Sequence, residues 1–237
     1  MRLDTYLAEN NLCKSRTAAQ SLIRSGGVSV NGKSCSKPSA EVGEGDTVEV
    51  TGEQLRYVGR GGLKLEAALE RFGLDITGAE CVDIGSSTGG FTDCMLQHGA
   101  AKVWAVDVGR DQLDGKLRSD PRVVSMEQTD IRDAELPQVD FIGTDVSFIS
   151  LRLILPHIFR LLKSGGRAVA LIKPQFEAGR SNLSKKGIVR DEKVRLKVRD
   201  EIAAFAEECG LTVVGTEVSP ITGGDGNTEY LMYTVKP

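Results

Sequence analysis

The sequence has no apolar run long enough to cross a bilayer, which excludes a membrane-spanning helix. Its first residues, Met1-Arg2-Leu3-Asp4-Thr5-Tyr6, lack the apolar core of a secretion signal. The five cysteines, Cys13, Cys35, Cys81, Cys94 and Cys209, are odd in number, scattered, and without the paired spacing of a metal site. They are expected to be free thiols in a reducing cytoplasm, with no metal bound. A general excess of basic charge is missing too: the net charge of −3 argues against a sticky polycation. There are no internal repeats and no low-complexity tracts. What remains is an ordinary globular composition, 40% hydrophobic and 27% charged over 237 residues, enough for a large core and one small extra domain.

Charge is unevenly spread. Residues 1–40 hold Arg2, Lys14, Arg16, Arg24, Lys33 and Lys37 against only Asp4 and Glu9. This gives either a basic face on a small N-terminal unit or a normal solvated surface. Within residues 1–50, Leu3, Tyr6 and Leu7 recur at helical spacing. Ser15 is placed to cap a second helix carrying Ala19, Leu22 and Ile23, which Gly26-Gly27 ends. Val28-Ser29-Val30 and Thr47–Val50 read as strands, and Asn31-Gly32 as a tight hairpin turn. Residues 51–61 are polar and read as a linker. From Gly62 to the end, helical and strand patterns alternate. Helices are expected around Leu63–Phe72, over Leu151–Leu162, and on the stripe Val194, Val198, Ile202, Phe205, Cys209. Strands are expected at 81–84, 103–106, 123–124, 139–142, 168–172, 212–218 and 230–235. The pattern predicts an α/β domain with a mostly parallel seven-stranded sheet over residues 62–237, behind a small α+β domain.

The first strand of that sheet runs into Asp83-Ile84-Gly85-Ser86-Ser87-Thr88-Gly89-Gly90-Phe91. Ligands bind at such carboxyl ends. The spacing Gly-x-x-x-Gly-Gly is not that of a dinucleotide site, and no Gly-Lys-Ser/Thr follows as in a phosphate loop. The loop carries no lysine or arginine, and Asp83 would repel a pyrophosphate. A carboxylate there suits the ammonium and sulfonium of S-adenosylmethionine. Asp107 ends the next strand, where an acidic residue accepts from both ribose hydroxyls of a nucleoside. Thr129-Asp130-Ile131 offers a polar edge and an apolar face for an adenine.

Two more strand ends are charged: Asp145 in Thr144-Asp145-Val146-Ser147-Phe148, and Lys173 in Leu171-Ile172-Lys173-Pro174-Gln175-Phe176. A lysine directly after an apolar strand is expensive to bury unless paired, unless its head snorkels to solvent. Strand ends in this fold face the ligand crevice, so both residues are read as functional.

These motifs carry a resemblance that spans almost the whole chain. Arg2-Leu3-Asp4, Ser15-Arg16, Leu22-Ile23, Gly27, Val28–Lys33 and Lys37-Pro38-Ser39 resemble the RNA-binding module named after small-subunit ribosomal protein S-four. The rest resembles the FtsJ/RrmJ type of Rossmann-like methyltransferase. Together they are similar to the TlyA (hemolysin A) family of rRNA 2′-O-methyltransferases. That family uses a Lys-Asp-Lys-Glu tetrad, which the resemblance implies here as Lys64 in Gly61-Gly62-Leu63-Lys64-Leu65, Asp145, Lys173, and Glu229 in Gly226-Asn227-Thr228-Glu229-Tyr230. One departure lies in the linker. The family usually has a serine where Tyr57-Val58-Gly59-Arg60-Gly61-Gly62 has Gly59, which gives the backbone more freedom there.

The resemblance implies S-adenosylmethionine held by Asp83, Gly85, Ser86, Thr88, Gly89, Gly90, Phe91, Asp107, Val108, Asp130, Ile131 and Asp145. It implies RNA contacts from Arg2, Ser15, Arg16, Lys33, Lys37 and Arg60. The substrate would be a ribose 2′-hydroxyl, cytidine in this family, in rRNA within ribosomal subunits. Lys173 would take the hydroxyl proton or stabilise the alkoxide, with Lys64 beside it and both lysines fixed by Asp145 and Glu229. The protein is expected to be a cytoplasmic monomer. Two other readings are an RNA-binding assembly factor with a vestigial methyltransferase fold and a pore-former. The occupied tetrad counts against the first, and the missing membrane segments against the second. The Arg180–Arg190 segment, with Lys185 and Lys186, is either an RNA-touching loop or a solvated one.

Overall fold

The computed structural model describes residues 1–13, 15–24, 26–50, 56–223 and 226–237. Lys14 and residues 51–55 of the expected linker therefore lie outside the described residues. The chain forms two compact units, Met1–Gly59 and Arg60–Pro237.

In the first unit, helices α1 (Leu3–Glu9) and α2 (Arg16–Arg24) accompany strands β1 (Val28–Val30), β2 (Lys33–Ser34) and β3 (Val48–Val50). The strands form an antiparallel sheet in the order β2-β1-β3. Leu3 and Leu7 from α1, Ala19, Leu22 and Ile23 from α2, and Val28 from β1 make one small core with Val42. The expected turn is present: Asn31 and Gly32 sit at φ +52° and +73°, the left-handed pair a two-residue hairpin requires. Ser15 caps α2, its Oγ accepting from the Ala18 N–H at 3.1 Å.

The second unit runs α3 (Gly61–Arg71), β4 (Glu80–Ile84), α4 (Gly90–Gln97), β5 (Lys102–Val106), α5 (Gly115–Arg118), β6 (Val123–Met126), β7 (Val139–Thr144), α6 (Leu155–Leu161), β8 (Leu162–Ile172), α7 (Pro174–Glu177), α8 (Glu192–Glu208), β9 (Thr212–Val218) and β10 (Tyr230–Val235). Its seven strands lie in the order β6-β5-β4-β7-β8-β10-β9, with β10 antiparallel to both neighbours and the five strands β4 through β8 parallel to one another. Alternation puts successive residues on opposite faces. In β7, Ile142 joins the main core with Ile158 of α6 and Ile202 of α8. A Cβ on its neighbour Gly143 would run into Met95 and Phe91 of α4, so the other face is covered too. The chain leaves β4 toward β5 and later returns to its other side as β7. That reversal opens a crevice at the carboxyl end of β4, where ligands bind in such sheets.

One expected element differs. Leu151–Leu162 is not a single helix: a 3-10 turn spans Leu151–Leu153, α6 begins at Leu155, and Leu162 already belongs to β8. Pro156 lies in the first turn of α6, where its missing N–H and fixed φ are tolerated; deeper in a continuous helix it would break the ladder.

Candidate active site

Four strand ends of the second unit build the site. From β4 the chain enters the glycine loop. Gly85 sits at φ +83°, and a Cβ there would stand 2.9 Å from the Asp145 carbonyl oxygen, so only glycine fits. Gly89, at φ +96°, has the Leu117 side chain where its Cβ would be. The loop is held by backbone bonds: the N–H groups of Gly85 and Ser86 donate to Val106 O at 2.9 and 3.1 Å, and Gly89 N–H donates to Ser86 O at 2.7 Å. Gly90 and Phe91 then open α4, with Phe91 buried.

Asp83 is fully buried at the end of β4. Its Oδ2 accepts from the Thr92 amide at 2.8 Å and the Thr92 hydroxyl at 2.7 Å. Its Oδ1 has no partner, and neither do the buried hydroxyls of Ser86 and Thr144. Burial pushes the Asp83 carboxyl up to about 7, against the lowering effect of the Thr92 bonds. Buried polar atoms without partners are rare and call for explanation. A cationic, hydrogen-bonding group of the kind S-adenosylmethionine carries fits the Asp83 carboxylate oxygen and the Ser86 hydroxyl; Thr144 pairs with Ile84 and so lies on the opposite face of the sheet from Asp83. Asp107 follows β5; its Oδ1 accepts from Gly109 N–H at 2.7 Å and its Oδ2 from Ser87 N–H at 2.8 Å. This fixes both oxygens, each with a lone pair left over for a ribose hydroxyl. The neighbouring Val108 is 72% exposed and offers an apolar face. Thr88 is exposed on the loop. Ile131, read from sequence as part of an apolar face for an adenine, packs in the main core. The Asp130 carboxylate is paired with Arg132 at 2.6 Å, which holds it below the usual carboxylate range.

Lys64, Asp145, Lys173 and Glu229 come together from α3, the β7 end, the β8 end and the β10 start. Lys64 Nζ lies 2.6 Å from Glu229 Oε2 and 3.7 Å from Asp145 Oδ2. Lys173 Nζ lies 2.5 Å from Asp145 Oδ1. Charge thus alternates along the chain Glu229–Lys64–Asp145–Lys173, with both lysines and the glutamate buried. Lys173 also donates to Ser147 Oγ at 2.9 Å, and Gln175 Nε2 donates to Glu229 Oε1 at 3.4 Å.

Sequence reasoning missed Thr92, Ser147, Gln175 and Phe148. Phe148 is 91% exposed at φ +65°, with its ring 5.1 Å from that of Phe176. Ser147 and Phe148 directly follow the Asp145 strand end, which was the one signal available for them. The Thr92 contact is a helix-to-strand pairing that no local pattern reveals.

In the first unit, Asp4 is fully buried and gathers four donor side chains, the longest contact being from Thr5 Oγ1 at 3.4 Å. Arg2 reaches its two oxygens at 3.0 Å each, Arg16 Nε lies at 3.1 Å and Gln20 Nε2 at 2.7 Å. The Arg2 bond foremost holds its carboxyl far below the usual range. Arg2 and Arg16 are therefore fixed side by side, still about half exposed. Lys33 and Lys37 are exposed in this unit, and Arg60 in the other. Ser15 is engaged as a helix cap. Among the described residues, no group of His, Cys, Asp and Glu is placed to hold a metal, and no helix is long and apolar enough to cross a membrane.

Residues 57–236 match the family model FtsJ-like methyltransferase, and residues 1–48 match the S4 domain. The chain is 48% identical to the provisionally named rRNA methyltransferase YqxC of Bacillus subtilis, over 98% of this chain and 84% of that protein. It is 39% identical to the 16S/23S rRNA (cytidine-2′-O)-methyltransferase TlyA of Mycobacterium tuberculosis, over 98% of this chain and 88% of the relative. A solved, provisionally named hemolysin of Streptococcus thermophilus is 46% identical and superposes with a TM-score of 0.79, covering 100% of this chain and 88% of the other.

Proposed function

The chain belongs to the TlyA branch of the FtsJ-like methyltransferase family, and from that premise we propose that it methylates a ribose 2′-hydroxyl, of cytidine, in ribosomal RNA. The observation that carries the reading is the buried Glu229–Lys64–Asp145–Lys173 chain beside the glycine loop. Asp83, Ser86 and Asp107 would hold S-adenosylmethionine, with Val108 as an apolar face. When bound, the cofactor supplies a methyl group on a positively charged sulfur.

A 2′-hydroxyl is a weak nucleophile at neutral pH. Its oxygen must bond to the methyl carbon while the carbon–sulfur bond breaks and its electron pair stays on sulfur, and the hydroxyl proton must leave. Lys173 is the residue for that oxygen. Ser147, which accepts its bond, is exposed where a ribose would arrive. Asp145 orients Lys173 and reaches toward Lys64, and Glu229 fixes Lys64 from the far side. The lysine head then either receives the proton or stabilises the alkoxide as it forms. Fixing it in advance contributes by orientation.

The test is single-turnover transfer of tritiated methyl to rRNA in ribosomal subunits. Lys173→Ala is expected to slow it by about 10²–10⁴-fold with cofactor affinity nearly unchanged. Lys173→Arg fails almost as badly if the proton must be taken, because guanidinium does not deprotonate near neutral pH, and keeps partial activity if the charge suffices. A folded Lys173→Ala protein working at the wild-type rate overturns the assignment.

A further inference from the structure

The segment between α7 and α8 is tied to the tetrad at both ends. It begins just after Lys173 and α7, passes through a 3-10 turn at Arg180–Asn182, and folds into a tight turn at Ser184–Ile188. Ser184 N–H donates to Ile188 O at 3.0 Å and Gly187 N–H to Ser184 O at 2.9 Å, while Ser184 Oγ accepts from Ile188 N–H at 3.1 Å. Gly187, at φ +72°, supplies the left-handed position. The turn therefore has a fixed shape, with Lys185 and Lys186 exposed at its tip.

The far side of the turn is gripped by Asn227. Its Nδ2 donates to Gly187 O at 3.1 Å and its Oδ1 accepts from Val189 N–H at 3.1 Å. Asn227 is 2% exposed, so both ends of its amide are committed to this segment. It stands two positions before Glu229. One side chain thus joins the lysine-bearing turn to the strand start that carries a tetrad residue.

Charge says what the turn meets. From 178 to 190 the segment holds Arg180, Lys185, Lys186 and Arg190 and no carboxylate. Several exposed arginines of this unit are engaged with acids: Arg118 with Glu127, Arg122 with Asp120, Arg132 with Asp130. Lys185 and Lys186 make no ion pair among the described residues. Two adjacent ammonium groups on a rigid turn suit a polyanion with repeating charge.

We propose that the Ser184–Ile188 turn is an RNA-contacting edge of the active site, on which Lys185 and Lys186 meet backbone phosphates beside the target nucleotide. Asn227 is the positioning residue that holds this edge in register with Glu229. The inference rests on the reading that the substrate is RNA.

The test measures binding of transcribed large- and small-subunit rRNA against salt, together with methyl transfer. Each phosphate contact contributes about 0.7–0.9 to the slope of log affinity against log salt. The double variant Lys185→Ala/Lys186→Ala is expected to lose roughly 1.5 units of slope and raise KM for RNA about tenfold. Its single-turnover rate at saturating RNA stays near wild type. Lys185→Arg/Lys186→Arg keeps the slope. Asn227→Ala, with cofactor affinity intact, loses the same slope although both lysines remain, and adds nothing on top of the double variant. An unchanged slope and KM in the double alanine variant overturns the inference, and so does a wild-type slope in a folded Asn227→Ala protein. If the wild-type protein itself transfers no methyl to rRNA, the functional reading fails instead.

Discussion

At Asp83, burial holds a carboxyl at about 7 where an exposed one lies near 3.8. Because the folded value exceeds the unfolded one, unfolding releases a proton between roughly pH 4 and 7. The contribution of Asp83 to stability is therefore fullest below about pH 4 and falls as pH rises to about 7. In thermal melts of the cofactor-free protein, Asp83→Asn should gain on wild type across that window and hold a constant lead above it. Cofactor binding should run the other way. The ionised carboxylate pairs with the ammonium, so wild-type affinity rises with pH through about 7, and Asp83→Asn loses that rise. At pH 8 the loss should be about 10- to 150-fold by calorimetry, the equivalent of one charge-assisted hydrogen bond. A variant that binds as tightly as wild type places the ammonium elsewhere. Asp107, Asp145 and Lys173 were legible in the sequence because each follows an apolar strand, and Asp83 because it stands one residue before the end of one; strand ends in this fold face one crevice. Thr92, Ser147 and Asn227 were not, because each acts through a partner that only the folded chain brings near.

The glycine loop between β4 and α4 shows what an element adds to its residues. Its backbone is set by left-handed positions at Gly85, Ser87 and Gly89, and it passes within contact of the Asp145 backbone. Gly85→Ala combines an unfavourable φ with a Cβ 2.9 Å from the Asp145 carbonyl oxygen. It should destabilise the protein by about 1–3 kcal/mol and displace Asp145 as well as the loop. Both a lower melting temperature and weaker cofactor binding are expected; a variant that melts and binds like wild type would show that the loop is free to move. Much of the alternation of helices and strands could be read from period, since β4, β5, β7 and β8 are apolar runs each followed by a helix. The Leu151–Leu162 stretch could not: its apolar run is shared by a 3-10 turn, a short helix and the start of β8, and Leu151, Leu155, Ile158, Leu161 and Leu162 from all three join one core. The packing of Ile131 into the core was not legible for a related reason, since an apolar residue beside a polar edge looks the same whether it faces a ligand or the core.

On the scale of the whole molecule, the two units divide the work that RNA modification requires. The second holds every tetrad residue, and the first presents Arg2 and Arg16 fixed on one buried carboxylate. A protein beginning near Gly52 should still bind cofactor yet methylate ribosomal subunits poorly. In the full chain, Arg16→Ala or Lys33→Ala should each lower the salt slope of RNA binding by roughly one unit. Unchanged slopes in both would move the RNA face off this unit. The central claim concerns the atom that receives the methyl group. Ribosomal subunits lacking the modification, incubated with the protein and S-adenosylmethionine, can be digested to nucleosides and resolved by mass spectrometry. The account predicts 2′-O-methylcytidine with the wild-type protein and almost none with Lys173→Ala; a methyl group on a base, or no methylated nucleoside at all, would contradict it.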